Sequence, residues 1–167
     1  MLIKKGERFN LSQNNLLDFT INIEWNCHNN YTIDSNIFLL NGKLTNDENI
    51  IFVDNPIGMN ESVILDDNDT SKEIKFNLDN LAGDIDKIIL TLSIEEYQNF
   101  GQISDLNMTL NGDNTLQYKL DDFTNETAIT LCEIYLKNNE WRLKAVGTGF
   151  VSGLASICNA YAIEIDS

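Results

Sequence analysis

Phe19-Thr20-Ile21-Asn22-Ile23-Glu24-Trp25 alternates apolar and polar residues without a break. Successive side chains of an extended chain point to opposite faces. Phe19, Ile21, Ile23 and Trp25 therefore share one face and Thr20, Asn22 and Glu24 the other, the pattern of a strand with one buried and one wet side. The same period of two returns at Ile74, Phe76 and Leu78, at Ile88, Leu90, Leu92 and Ile94, at Leu106, Met108 and Leu110, and at Leu116, Tyr118 and Leu120. Residues 128–136 and 141–146 are apolar on both faces in places, as central strands are. Turn chemistry separates the runs: Asn41-Gly42, Asn111-Gly112-Asp113-Asn114 and Lys137-Asn138-Asn139-Glu140 each follow an apolar stretch. Many short strands joined by such turns predict an all-β fold, a two-sheet antiparallel β-sandwich with one or two short helices, at 94–102 and 152–160. Trp25, Phe38, Phe76 and Trp141 are expected in its core. The single proline, Pro56, falls in the loop after Ile50-Ile51-Phe52-Val53, where it disturbs no ladder.

At 167 residues, with 43% apolar and 22% charged, the chain suits one globular domain spanning 1–167 whose core needs neither disulfide nor metal to hold it. Its charge is less ordinary: 26 Asp and Glu face 11 Lys and Arg, a formal charge of −15. A field of that sign repels phosphate backbones and attracts cations, so nucleic acid is not an expected partner. Cys27, Cys132 and Cys158 are widely spaced and odd in number, which outlines neither a disulfide framework nor a zinc site and fits a reducing compartment. The opening Met1-Leu2-Ile3-Lys4-Lys5-Gly6 does not read as a signal peptide, and no apolar run approaches membrane-spanning length; a cytoplasmic location without membrane insertion is the expectation.

Catalytic patterns are missing. One histidine, His28, lies in the polar run Asn26-Cys27-His28-Asn29-Asn30 and reads as a solvated loop residue; its neighbour Cys27 points to the opposite face of an extended chain. No nucleophile elbow, zinc-protease motif, P-loop or dinucleotide fingerprint occurs, and Gly147-Thr148-Gly149 reads as a close-packed turn. The expectation is a binding module, not an enzyme. One loop is rich in oxygen: Leu65-Asp66-Asp67-Asn68-Asp69-Thr70-Ser71-Lys72-Glu73 offers hard ligands of the kind Ca²⁺ takes, six to eight at a time. Its spacing is not that of an EF-hand, and an acidic hairpin left to water explains the composition as well. Asp34, between Ile33 and the run Ile37-Phe38-Leu39-Leu40, needs a partner, and a cation or a backbone amide would serve. Asp34, Asp66, Asp67, Asn68, Asp69 and Glu73 are thus the candidate metal ligands. Lys72 places a positive charge among them. Asp47-Glu48-Asn49, Asp54-Asn55 and Asp121-Asp122-Phe123-Thr124-Asn125-Glu126 read as acidic turns.

Several segments together resemble the TerD family of tellurium-resistance and stress proteins. Lys5-Gly6-Glu7-Arg8-Phe9-Asn10-Leu11 is similar to its K-G-x-x-x-x-L, Ile23-Glu24-Trp25-Asn26 to its G-L-G-W-D, and Thr32-Ile33-Asp34-Ser35-Asn36-Ile37-Phe38-Leu39-Leu40 to its D-L-D-A-S-A-F-L-L. Gln98-Asn99-Phe100-Gly101-Gln102, Glu133-Ile134-Tyr135 and Trp141-Arg142-Leu143-Lys144-Ala145-Val146-Gly147-Thr148-Gly149-Phe150 follow in the family's order, the last resembling W-K-F-x-A-V-G-Q-G-Y. The resemblance implies a β-sandwich, a role in tellurite or stress resistance, calcium held by acidic loops, and protein partners that include other tellurium-resistance proteins. The chain departs from the family at that loop. Asp67, Asn68, Thr70 and Glu73 align, but the glycines and the two aspartates before the glutamate are missing, and Thr32 replaces the first acid of D-L-D. Two readings stay open: a calcium-binding stress module that organises protein partners, and an interaction scaffold of the same fold that has lost tight calcium binding.

Overall fold

The computed structural model describes residues 1–27, 31–95 and 97–166; His28 and its expected solvated loop lie outside them. The described residues form β1 (Leu2–Ile3), β2 (Arg8–Asn10), β3 (Asp18–Asn26), β4 (Ile33–Leu40), β5 (Leu44–Asn46), β6 (Ile50–Ile51), β7 (Val63–Asp67), β8 (Ser71–Asn77), β9 (Lys87–Ile94), β10 (Ser104–Asn111), β11 (Thr115–Leu120), β12 (Ala128–Lys137), β13 (Glu140–Phe150), the helix α1 (Leu154–Ala160) and β14 (Glu164–Asp166). One sheet runs β1-β11-β10-β3-β8-β7 and the second β2-β13-β12-β9-β4-β6. Within them the pairings are antiparallel except where β1 joins β11 in parallel; β14 and β5 make a small parallel pair of their own.

The alternation that opens the sequence decides which face of each strand is dry. Phe19, Ile21 and Ile23 of β3, Ile74 and Phe76 of β8, and Leu106, Met108 and Leu110 of β10 meet Ile37 and Leu39 of β4, Ile88, Leu90 and Leu92 of β9, and Ile129 and Ile134 of β12 in one apolar layer. Phe19 stacks on Phe76 at 5.1 Å between ring centroids. The β12–β13 hairpin turns through Asn138 and Asn139, both at positive φ, which asparagine tolerates better than most residues.

Phe38 is buried as expected, in a smaller core cluster on the outer face of the second sheet, where it joins Leu40 and Ile89 beneath Leu154 and Cys158 of α1. The structure corrects three expectations. Trp25 and Trp141 are only partly buried, packed against the core's edge. Among the described residues of 94–102 there is no α-helix: β9 continues to Ile94 and a 3-10 turn lies at Phe100–Gln102. Gly147 lies within β13 instead of in a turn, beside a bulge where the β12–β13 register shifts between Thr130 and Cys132. Its φ of +72° and the Tyr118 hydroxyl, 2.3 Å from where a Cβ would stand, explain why glycine is needed there.

Candidate functional site

The acidic loop is the hairpin between β7 and β8, and its register divides its charges. Asp67 pairs with Lys72 and Asp66 with Glu73. Since paired residues share a face and neighbours alternate, Asp67 and Lys72 lie on the side of Ile23 and Ile74, toward the inter-sheet layer, while Asp66 and Glu73 lie on the outer side with Asn22. Lys72 is 3% exposed. Its ammonium forms an ion pair with Asp67, donates to the carbonyl of Asn68 at 2.9 Å, and stands 5.9 Å from the centre of the Trp25 ring. A buried ammonium needs such compensation, and a carboxylate, a carbonyl and an aromatic face together provide it.

Beside this pair opens a cleft of about 600 Å³ between the two sheets' ends, lined by Trp25, Tyr31, Asp34, Asp67, Asp69 and Lys72 among others. Asp34 enters from the start of β4, and Asp67 and Asp69 from the hairpin. Burial raises the Asp34 carboxyl above its usual range; Lys72 works against that rise, and Asp67 and Glu95 add to it. Of the six candidate ligands, then, Asp34, Asp67 and Asp69 reach one cleft. Asn68 gives its carbonyl to Lys72, and Asp66 and Glu73 face away.

This arrangement does not fit a calcium shell. The ion takes six to eight oxygens at 2.3–2.6 Å, and among the described residues no three of Asp, Glu, His or Cys converge as metal ligands would. The central carboxylate, Asp67, already holds a cation belonging to the chain. The sequence places Lys72 among the acids but does not show that it is buried in an ion pair. The signal lay in parity: counted from Ile74 and Phe76, position 72 falls on the dry face of β8. Trp25 and Tyr31 as cleft walls were not anticipated, because they come from the two ends of a connection whose path the sequence does not give.

A family model described as the TerD domain matches residues 1–161. The chain belongs to the TerD family. Among its relatives, chemical-damaging agent resistance protein B of Clostridium acetobutylicum is 39% identical over 56% of this chain and 74% of its own length. The tellurium resistance protein TerD of an Alcaligenes species is 39% identical over 56% of this chain. That match spans 53% of the TerD relative, so this chain accounts for about half of its length. A crystal structure of a Streptomyces coelicolor homologue of the telluride resistance protein TerD superposes with a TM-score of 0.66 at 13% identity, covering 88% of this chain and 98% of that one, a likeness of fold.

The segments that resembled TerD sequences have structural work in this fold. In the Gln98 to Gln102 segment, Asn99 and Gln102 cap each other's backbone, and Phe100 is buried against Phe123 at 6.2 Å. Gly101 lies so close to Thr124 that a Cβ there would stand 2.0 Å from its carbonyl oxygen. Asn26, where the TerD pattern has an acid, donates to Asp105 at 2.8 Å. Burial pushes the thiols of Cys132 and Cys158 up, away from the thiolate that redox or nucleophilic chemistry needs. No helix among the described residues is long and apolar enough to cross a membrane.

Proposed function

We propose that this chain is a TerD-family stress-response module, related to tellurium resistance, that engages protein partners without calcium and catalyses no reaction. The observation that carries this reading is Lys72, which puts an ammonium at the centre of the acidic hairpin. A tethered cation neutralises Asp67 and orders the Asn68 carbonyl, the two tasks a bound ion would perform there. The raised thiols of Cys132 and Cys158 support the non-enzymatic half. A second reading, weak calcium binding, has one observation in its favour: Asp34, Asp67 and Asp69 share a cleft.

Titration calorimetry and thermal unfolding with calcium or a chelator separate the two readings. A ligand at a hundred times its Kd adds about 2.7 kcal/mol to the stability of a protein that binds it only when folded. The expected outcome is no calcium heat at millimolar concentration and one melting curve in both buffers; a calcium-dependent rise in Tm would overturn the proposal. Lys72→Met supplies the control. Removing one partner of a buried pair costs about 3–5 kcal/mol, and Asp67, still 16% exposed, places this case at the low end. Adding Asp67→Asn restores most of that loss, because the stranded charge is then gone too. An Asp67→Asn/Lys72→Met protein no more stable than Lys72→Met alone would show that the ammonium does not serve Asp67.

A further inference from the structure

Cations are scarce in this chain, and five of its 11 lie together on the outer face of the second sheet. The pairings place them in adjacent rows. Arg8, Lys144, Glu133 and Ile89 form one row across β2, β13, β12 and β9, and Asn10, Arg142, Tyr135 and Lys87 the next. Lys137 pairs with Glu140 just beyond. That this is the outer face follows from the intervening residues, since Leu143, Ile134 and Ile88 all lie in the inter-sheet core, whereas Ile89 packs with Phe38 beneath α1. Arg8 and Lys137 are exposed, and Lys87, Arg142 and Lys144 half-buried.

We propose that this basic stretch docks an acidic peptide segment of a partner protein, which deepens the scaffold reading by naming a surface and a partner chemistry. Charge complementarity is the first reason: five cations against Glu133 and Glu140 leave the stretch positive within a molecule of charge −15. Opposed patches of this kind set orientation and association rate. Hydrogen-bonding capacity is the second. The guanidinium of Arg142, 29% exposed, reaches Glu140 only at 3.3 Å, while its Nε and the Tyr135 hydroxyl are buried without a hydrogen-bond partner among the described residues, which leaves Arg142 only loosely held. A guanidinium so placed can turn to grip an incoming carboxylate with two parallel bonds. A peptide suits the stretch better than a nucleic acid. Base recognition relies on stacking, and the single aromatic ring of the stretch, Tyr135, already has Arg8 at 5.8 Å from its centre, so it offers no free stacking platform.

Fluorescence anisotropy with a labelled deca-glutamate peptide and the full chain tests this. The expected result is saturable binding that weakens as salt rises and is unchanged by calcium or a chelator. Arg142→Gln/Lys144→Gln should weaken it about tenfold, the effect of losing 1.4 kcal/mol, as should Arg8→Gln/Lys87→Gln, which covers a folding failure of the first pair. The control Lys75→Gln/Lys119→Gln makes the same charge change on exposed positions of the other sheet and should leave binding intact. An equal loss in the control, no binding at low salt, or tighter binding of a single-stranded oligonucleotide of equal charge would each overturn the proposal. Because peptide binding is read without calcium, its failure leaves the Lys72 reading standing, and calcium binding would not touch it.

Discussion

Asp34 and Lys72 show how one position in a strand acquires chemistry. Lys72 lies on the dry face of β8, where an ammonium is costly unless paired, and Asp67 across the hairpin is in register to pair it. Among the described residues Asp34 has no such partner of its own, and partial burial raises its carboxyl above the ordinary value of 3.8. The folded protein therefore holds that proton more tightly than the unfolded chain does. Stability from this group is complete below the ordinary value and is lost as the pH rises through the raised one. Asp34→Asn is expected to raise Tm at neutral pH, with the difference shrinking as the pH falls toward 3.8. A variant that melts lower than the parent at neutral pH would show that ionised Asp34 has a stabilising partner after all. Asp34 was legible as a carboxylate in want of a partner, but its separation from Asp66 and Glu73 was not, because which face a residue takes in a hairpin depends on register, and register is set by pairing between strands.

At the level of elements, strands with one wet face were read with little error and two-sided ones were not. The run Ile37-Phe38-Leu39-Leu40 is apolar throughout, and no periodicity could say that Ile37 and Leu39 face the other sheet while Phe38 and Leu40 face α1. The helix at 152–160 was legible, yet not the sheet face it would cover. The expected helix over 94–102 failed because the segment is bound by its ends. The N–H of Ile94 bonds to the Thr127 carbonyl and that of Phe100 to the Glu126 carbonyl, which holds the chain along the β11–β12 connection instead of letting it coil. Gly101 sits in this seam. Gly101→Ala forces a Cβ into the Thr124 backbone, and backbone atoms cannot step aside as a flexible side chain would. A loss of about 1–3 kcal/mol, the usual range for overpacking, is expected in denaturant unfolding. Unchanged stability would mean that the seam is looser than its geometry.

For the whole molecule the governing quantity is charge. Fifteen net negative charges on a compact body repel one another, and salt screens exposed charges far more than buried pairs such as Lys72 with Asp67. Tm is therefore expected to rise as sodium chloride is added from low ionic strength, and a flat or falling curve would show that the acids are already neutralised locally. The sequence by itself determined the strand pattern, the hairpin turns, the β-sandwich and the family, because period-two alternation and turn chemistry are local properties that survive without a partner. Only the tertiary structure decided which carboxylates share a cleft, that Lys72 is buried in an ion pair with Asp67, and that five dispersed cations form one surface. Those facts depend on register across strands distant in sequence, which no local pattern encodes.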